Sequence, residues 1–308
     1  MPILTSVSIQ PTEYLLLGIA GFVLAGFLTW PVRKVAIAIG AMDKPNLERK
    51  SQKEPVPYLG GLAIMISFLI TVITGLFVVS PSREVRTDIL YLLLPAAVLG
   101  IIGLWDDIKE LSPHFRLMVQ VLLGLAGSLT ITFGSTSGSA TGNQSTDLLL
   151  SIFWIVGISN ALNFFDNMDG AAGGISALAG FGFAIIGLQN GQYFVAAFGL
   201  VLSGACVGYL FWNGSPAKIY MGDAGALFLG IIISVLTIRL SPGIVPQVKS
   251  FAIPLALMAV PILDTTVAVT SRIYRGISPF QGGSDHLSHR LMRVGLQRKA
   301  TAFTLWGF

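Results

Sequence analysis

The chain has 308 residues, 53% of them hydrophobic and 11% charged, with a mean hydropathy of +0.76 and a formal net charge of +4. A soluble domain carries about 25% charged residues, and surface-to-volume scaling leaves no soluble core able to hide this much apolar sequence. The composition excludes a soluble globular protein, and the single cysteine, Cys206, excludes an intrachain disulfide and a thiolate metal site.

Apolar runs of the length a bilayer demands, roughly 17–25 residues, are expected to span at 14–32, 59–80, 89–105, 117–133, 147–165, 171–189, 193–212, 224–240 and 250–271. A further run begins at Thr301 and stops at Phe308, so a tenth span is expected to be incomplete, with the C-terminus truncated. The expected fold is an all-α polytopic membrane bundle of about ten helices, forming one domain over residues 1–308. The first run is too long for a signal peptide, and no Lys or Arg precedes it.

The nineteen Lys and Arg fall unevenly between alternate connections. One set holds fifteen of them; the other holds Arg83, Arg86, Arg239 and Lys249. The positive-inside rule assigns the rich set to the cytoplasm and the N-terminus to the outside. Basic charge at that face suits anionic headgroups and anionic substrates better than nucleic acid. The acids share the bias, with Asp106, Asp107, Glu110, Asp166, Asp169, Asp223 and Asp285 in the same set. The polar chemistry is therefore expected at the cytoplasmic face of a plasma membrane.

Five inner segments carry that chemistry. The first, 33–58, includes Lys53 and leads into Gly60-Gly61, a pair that admits close approach of a ligand or a neighbouring helix. The second ends an apolar run with Asp106-Asp107-Ile108-Lys109. An Asp at bilayer depth costs about 2.5–3.5 kcal/mol, and two adjacent ones repel unless a cation sits between them. A divalent metal would resolve both problems, and Lys109, three residues after Asp106, could meet a phosphate.

The third segment reads Asn160-Ala-Leu-Asn163-Phe-Phe-Asp166-Asn167-Met-Asp169-Gly170. Its three amides recur at helical spacing and share a face. Amides and carboxylates leaving one helix end suit a sugar, a base or a hydrated metal. The fourth, Lys218-Ile-Tyr-Met-Gly222-Asp223-Ala-Gly225, opens the next apolar run. Asp223 is either a helix cap or part of an anion and metal site at a helix N-terminus. The fifth follows Asp264 and holds Ser278-Pro279-Phe280 and Asp285-His286-Leu287-Ser288-His289-Arg290. With oxygen ligands elsewhere and no cysteine partner, phosphate contact fits these histidines better than zinc.

In order, these segments resemble the polyprenyl-phosphate N-acetylhexosamine-1-phosphate transferase family over nearly the whole sequence. The resemblance implies that a polyprenyl phosphate oxygen attacks the β-phosphorus of a UDP-sugar, releasing UMP and forming a polyprenyl-diphosphate-sugar for cell-envelope synthesis. It implies Mg²⁺, with Mn²⁺ as a substitute, held by Asp223, Asn163 and Asp107. Asp106, Asp107, Lys109, Asp166 and Asp169 would serve catalysis. Asn160, Asn163, Lys53, Gly60, Gly61, Lys218, His286, His289 and Arg290 would bind substrate. A homodimer is compatible with the family. The last inner segment is more similar to the N-acetylglucosamine branch than to the muramoyl-pentapeptide branch, which stands as the alternative. Asn167 and Ala171 replace a common Gly and Leu, and Ser288 replaces the middle histidine of the last motif. A secondary transporter is the rival of another class, but transporters gather polar groups near the midplane, whereas these acids end or begin spans.

Overall fold

The computed structural model describes residues 11–43, 54–79, 81–133, 141, 143–240 and 251–308. Lys53 lies outside the described residues. The described residues form helices α1 (Pro11–Ala38), α2 (Gly60–Val79), α3 (Arg83–Lys109), α4 (Pro113–Phe133), α5 (Gln144–Phe165), α6 (Ala171–Gln189) and α7 (Tyr193–Asn213). They continue as α8 (Gly222–Arg239), α9 (Ala252–Leu257), α10 (Ala259–Tyr274), α11 (Leu287–Arg293) and α12 (Arg298–Gly307). The only strands among the described residues, β1 (Met42–Asp43) and β2 (Val56–Pro57), pair antiparallel with Met42 opposite Pro57.

Helices α1, α2, α3, α5, α6, α7 and α8 are each long and apolar enough to cross a membrane. A helix satisfies its backbone internally, which is what hydrocarbon requires. The span expected at 117–133 is α4. The one expected at 250–271 is not continuous: it divides at Met258 into α9 and α10. Pro261 has no N–H to give the carbonyl of Leu257, so one rung of the helical ladder is missing at the break. The expected partial span near Thr301 is α12.

Helix α8 is the axis of the bundle. It packs against α3, α5 and α2, and nearly all of its residues from Ala224 to Thr237 are buried. A second layer is built by α1 on α7 and α6 on α7. Phe68 joins the layers, with edge-on contacts to Phe228 of α8 and Phe198 of α7, both at 5.6 Å.

The polar end of α8 is braced by backbone. The N–H groups of Gly60 and Gly61 donate to the carbonyls of Tyr220 and Met221, each at 2.8 Å, and the Tyr220 N–H donates to Pro57 at 2.8 Å. A Cβ at Gly61 would lie 2.2 Å from the Cα of Gly225. Backbone stands on both sides, so neither can yield. Gly61→Ala is expected to cost at least about 3 kcal/mol, the upper range for overpacking. Thermal unfolding of the purified protein would show it as a lowered midpoint, and an unchanged midpoint would contradict this packing.

Candidate active site

A polar cavity of about 920 Å³ opens at the end of the bundle where α3 and α5 finish and α4 and α8 begin. Its walls carry Asp106, Asp107, Asn160, Asn163, Asp166, Asp169, Asp223, His286 and His289. Residues singled out in four of the five inner segments are thus brought together.

Each is placed by local structure. Helix α3 ends at Glu110, whose N–H donates to the carbonyl of Asp106 at 2.9 Å from a left-handed conformation. The backbone then turns, and the Leu111 N–H donates to Asp106 Oδ1 at 2.5 Å. Asp107 reaches across to α8, where Oδ1 accepts from the Asp223 N–H at 2.9 Å and Oδ2 from the Ala224 N–H at 3.1 Å. These are orphan donors of a helix start, and such a cap is worth about 1 kcal/mol. Asp107 therefore positions Asp223 through the backbone of α8.

Asp223 faces the cavity. Its Oδ1 accepts from the Asn163 amide at 2.7 Å, which leaves the Asn163 carbonyl oxygen as an acceptor. Its Oδ2 accepts from Arg116, and the same guanidinium nitrogen donates to Asp106 Oδ2. One cation is thus shared by two carboxylates on different helices. The sequence marks Arg116, in the first turn of α4, only as part of the inner-face charge.

Asn160, Asn163 and Asn167 share the cavity wall, although α5 stops at Phe165 and Asp166 is its cap. The Asn160 amide is held by Gln120 and by the Val156 carbonyl. Asp169 is buried; its Oδ2 accepts from the Ala217 N–H at 3.2 Å and lies 3.5 Å from Arg298 of α12. Arg298 also lines the cavity, and neither its place nor that of Tyr58 is legible from spacing.

Burial, with Asp223 close by, pushes the Asp166 carboxyl up to about 7 against a hydrogen bond from Gly222. The unfolded protein gives up this proton near pH 4, while the folded protein keeps it to about 7. Stability falls as pH rises through that window. Asp166→Asn is therefore expected to raise the melting temperature of the metal-free protein at pH 8, with the gain vanishing by about pH 4. A gain of equal size at both pH values would contradict this.

The fifth segment is locked from behind. Asp264 is fully buried and accepts from the Leu287 N–H at 2.6 Å and from His286 Nδ1 at 2.7 Å. Arg272 stands 3.1 Å from His286 Nε2 and must donate there, which fixes the His286 proton on Nδ1. Arg272 also holds Asp285 at 3.2 Å and the Pro279 carbonyl at 2.9 Å. Both His286 nitrogens are committed, so its work is positional. Burial, with His286 and Arg293 nearby, lowers the pKa of His289, which keeps its imidazole neutral.

Five other candidates stand away from the cavity. Gly60 and Gly61 are buried in the contact of α2 with the start of α8. Lys109 is exposed on the last turn of α3. Lys218 is exposed, with its ammonium 5.7 Å from the Trp212 ring centre. Arg290 donates to the Asp285 carbonyl at 3.0 Å.

No three His, Cys, Asp or Glu side chains among the described residues converge into a metal cage. Mg²⁺, which the resemblance implies, asks for no such cage: it takes one or two carboxylates and completes its shell with water and substrate phosphates. Asp223 and the Asn163 carbonyl oxygen could hold such an ion at the cavity, while both Asp107 oxygens already accept backbone N–H groups.

The model of glycosyl transferase family 4 matches residues 89–241, which run from α3 through α8 and carry the cavity residues from Asp106 to Asp223. Over 284 residues the sequence is 33% identical to a probable undecaprenyl-phosphate N-acetylglucosaminyl 1-phosphate transferase of Bacillus subtilis, covering 89% of this protein and 76% of the relative. It is 28% identical over 326 residues to a decaprenyl-phosphate N-acetylglucosaminephosphotransferase of Mycobacterium tuberculosis, covering 96% and 79%. It is 29% identical over 290 residues to the undecaprenyl-phosphate alpha-N-acetylglucosaminyl 1-phosphate transferase of Escherichia coli, covering 89% and 74%.

Proposed function

Because this chain belongs to the polyprenyl-phosphate N-acetylglucosamine-1-phosphate transferases of glycosyl transferase family 4, we propose that it transfers N-acetylglucosamine-1-phosphate from UDP-N-acetylglucosamine to a polyprenyl phosphate. The acceptor phosphate oxygen bonds to the β-phosphorus, the bridge between the two phosphates breaks, and UMP leaves. The product feeds envelope polysaccharide assembly.

The observation that carries this reading is the pairing of Asp223 and Asp106 across one guanidinium at the mouth of a cavity that also holds three amides. Phosphoryl transfer asks the protein for positioning and charge neutralisation rather than covalent chemistry. Asp223 and Asn163 would hold Mg²⁺, which neutralises diphosphate charge. Arg116 and Arg298 supply fixed positive charge to the same phosphates. Asp106 has both oxygens engaged, by Leu111 and Arg116, and acts as an anchor for Arg116. No base is required: a phosphomonoester with a second pKa near 6 is mostly dianionic at pH 7. The neutral His289 imidazole offers a hydrogen bond to sugar or phosphate.

The fifteen-to-four charge bias supports a cytoplasmic site in the plasma membrane. A soluble nucleotide-sugar would enter from that side while the lipid arrives from the bilayer. Purified protein with Mg²⁺, undecaprenyl phosphate and a panel of UDP-sugars is expected to release UMP from UDP-N-acetylglucosamine. Turnover of UDP-N-acetylmuramoyl-pentapeptide alone would overturn the sugar assignment.

A further inference from the structure

We infer that Asn167 and Ser288 form a positioning pair that fixes the donor-binding wall of the cavity. This rests on the transferase reading above. Ser288 is fully buried and its hydroxyl donates to the Asn167 carbonyl oxygen. The Asn167 amide donates to the Phe164 carbonyl at 2.9 Å and to Asp264 Oδ2 at 3.3 Å. The same Asp264 holds the Leu287 N–H and His286. Three pieces of the fold are thereby tied together: the end of α5, the middle of α10 and the start of α11.

The tie has a direction. Asn167 stands between Asp166 and Asp169, on the loop that faces Asp223. Ser288 stands between His286 and His289, which line a second stretch of the same cavity wall. The Asn167–Ser288 bond ties those two stretches of wall to each other. Both oxygens and the amide nitrogen already have partners within the protein, so the pair is held in place before substrate arrives. The Ser288 hydroxyl is fully buried, so once it loses Asn167 it has no water to turn to. The second stretch belongs to α11 and its loop, outside the long apolar helices. It faces the entering soluble nucleotide-sugar, and the lipid phosphate approaches from the bilayer. Loosening the pair should weaken the donor and spare the acceptor.

The test is a double-mutant cycle on the full-length protein with Mg²⁺, UDP-N-acetylglucosamine and undecaprenyl phosphate. Ser288→Ala is expected to raise the donor KM about five-fold, the loss of one neutral hydrogen bond, and Asn167→Ala, which also gives up its bonds to the Phe164 carbonyl and Asp264, at least as much. The double variant is expected to rise no further, with kcat and the acceptor KM within about two-fold of the unaltered protein. Ser288→Thr keeps the hydroxyl and is expected to restore the donor KM. Additive losses, an equal rise in both KM values, a fall confined to kcat, or Ser288→Thr behaving as Ser288→Ala would each overturn the pair. So would activity that merely follows the folded fraction in thermal melts. Failure of the unaltered protein to release UMP would overturn the transferase reading and the inference with it, whereas the other outcomes strike the inference alone.

Discussion

Asp223→Asn is expected to lower glycolipid formation on the order of a thousand-fold, a loss of several kcal/mol of charge stabilisation, in a protein that still folds. The substitution keeps size and keeps an acceptor for the Asn163 amide, which lies 2.7 Å from Oδ1. The backbone N–H of residue 223 still donates to Asp107. The start of α8 therefore stays where it is, and only the negative charge is removed. That charge is what a hard cation and the Arg116 guanidinium share. The check pairs a labelled-sugar assay with a thermal melt in detergent. A melt close to that of the unaltered protein with turnover gone fits the account. Glycolipid formed at the unaltered rate would remove Asp223 from the cation site.

Arg116→Ala has the second large effect. It leaves Asp106, whose side chain is 8% exposed, and Asp223, at 24%, facing one another without their shared cation. Stripping one partner from a fully buried pair costs about 3–5 kcal/mol. Arg116 is 26% exposed, so solvent screening reduces this to roughly 1–3 kcal/mol. The metal-free protein is expected to melt earlier, and Mg²⁺ to raise the midpoint more in the variant than in the unaltered protein, because the ion takes over the neutralisation. Turnover should fall about a hundred-fold, as for other preorganised charge donors. Arg116→Lys should recover only part of it, since an ammonium lacks the planar fork. Midpoints and turnover unchanged by Arg116→Ala would contradict the bridge.

What is legible in the sequence is periodic or local. The long apolar runs declare themselves because hydrocarbon demands them, and seven reappear as helices of spanning length. Asn160 and Asn163 are readable because residues three apart share a helical face, and Asp166 and Asp169 because they crowd the polar end of an apolar run. Spacing is silent about partners far apart. Arg116 meets Asp223 across 107 positions, and no window contains both. Gly60 and Gly61 read as room for a ligand, yet they leave room for a neighbouring helix, and both readings ask for the same missing Cβ. Arg272 reads as topology-setting charge, because only the folded protein shows it gripping His286 and Asp285 from behind. Asn167 and Ser288 stand out as departures from the family pattern, and the structure puts them in contact.

The central claim is that the bond broken lies between the two phosphates of the donor. It is tested most directly with UDP-N-acetylglucosamine carrying ³²P at the β position. Incubated with the purified protein, Mg²⁺ and undecaprenyl phosphate, the label should pass into the organic phase with the lipid, leaving unlabelled UMP in the water. Label retained in aqueous UDP, with sugar alone on the lipid, would contradict it.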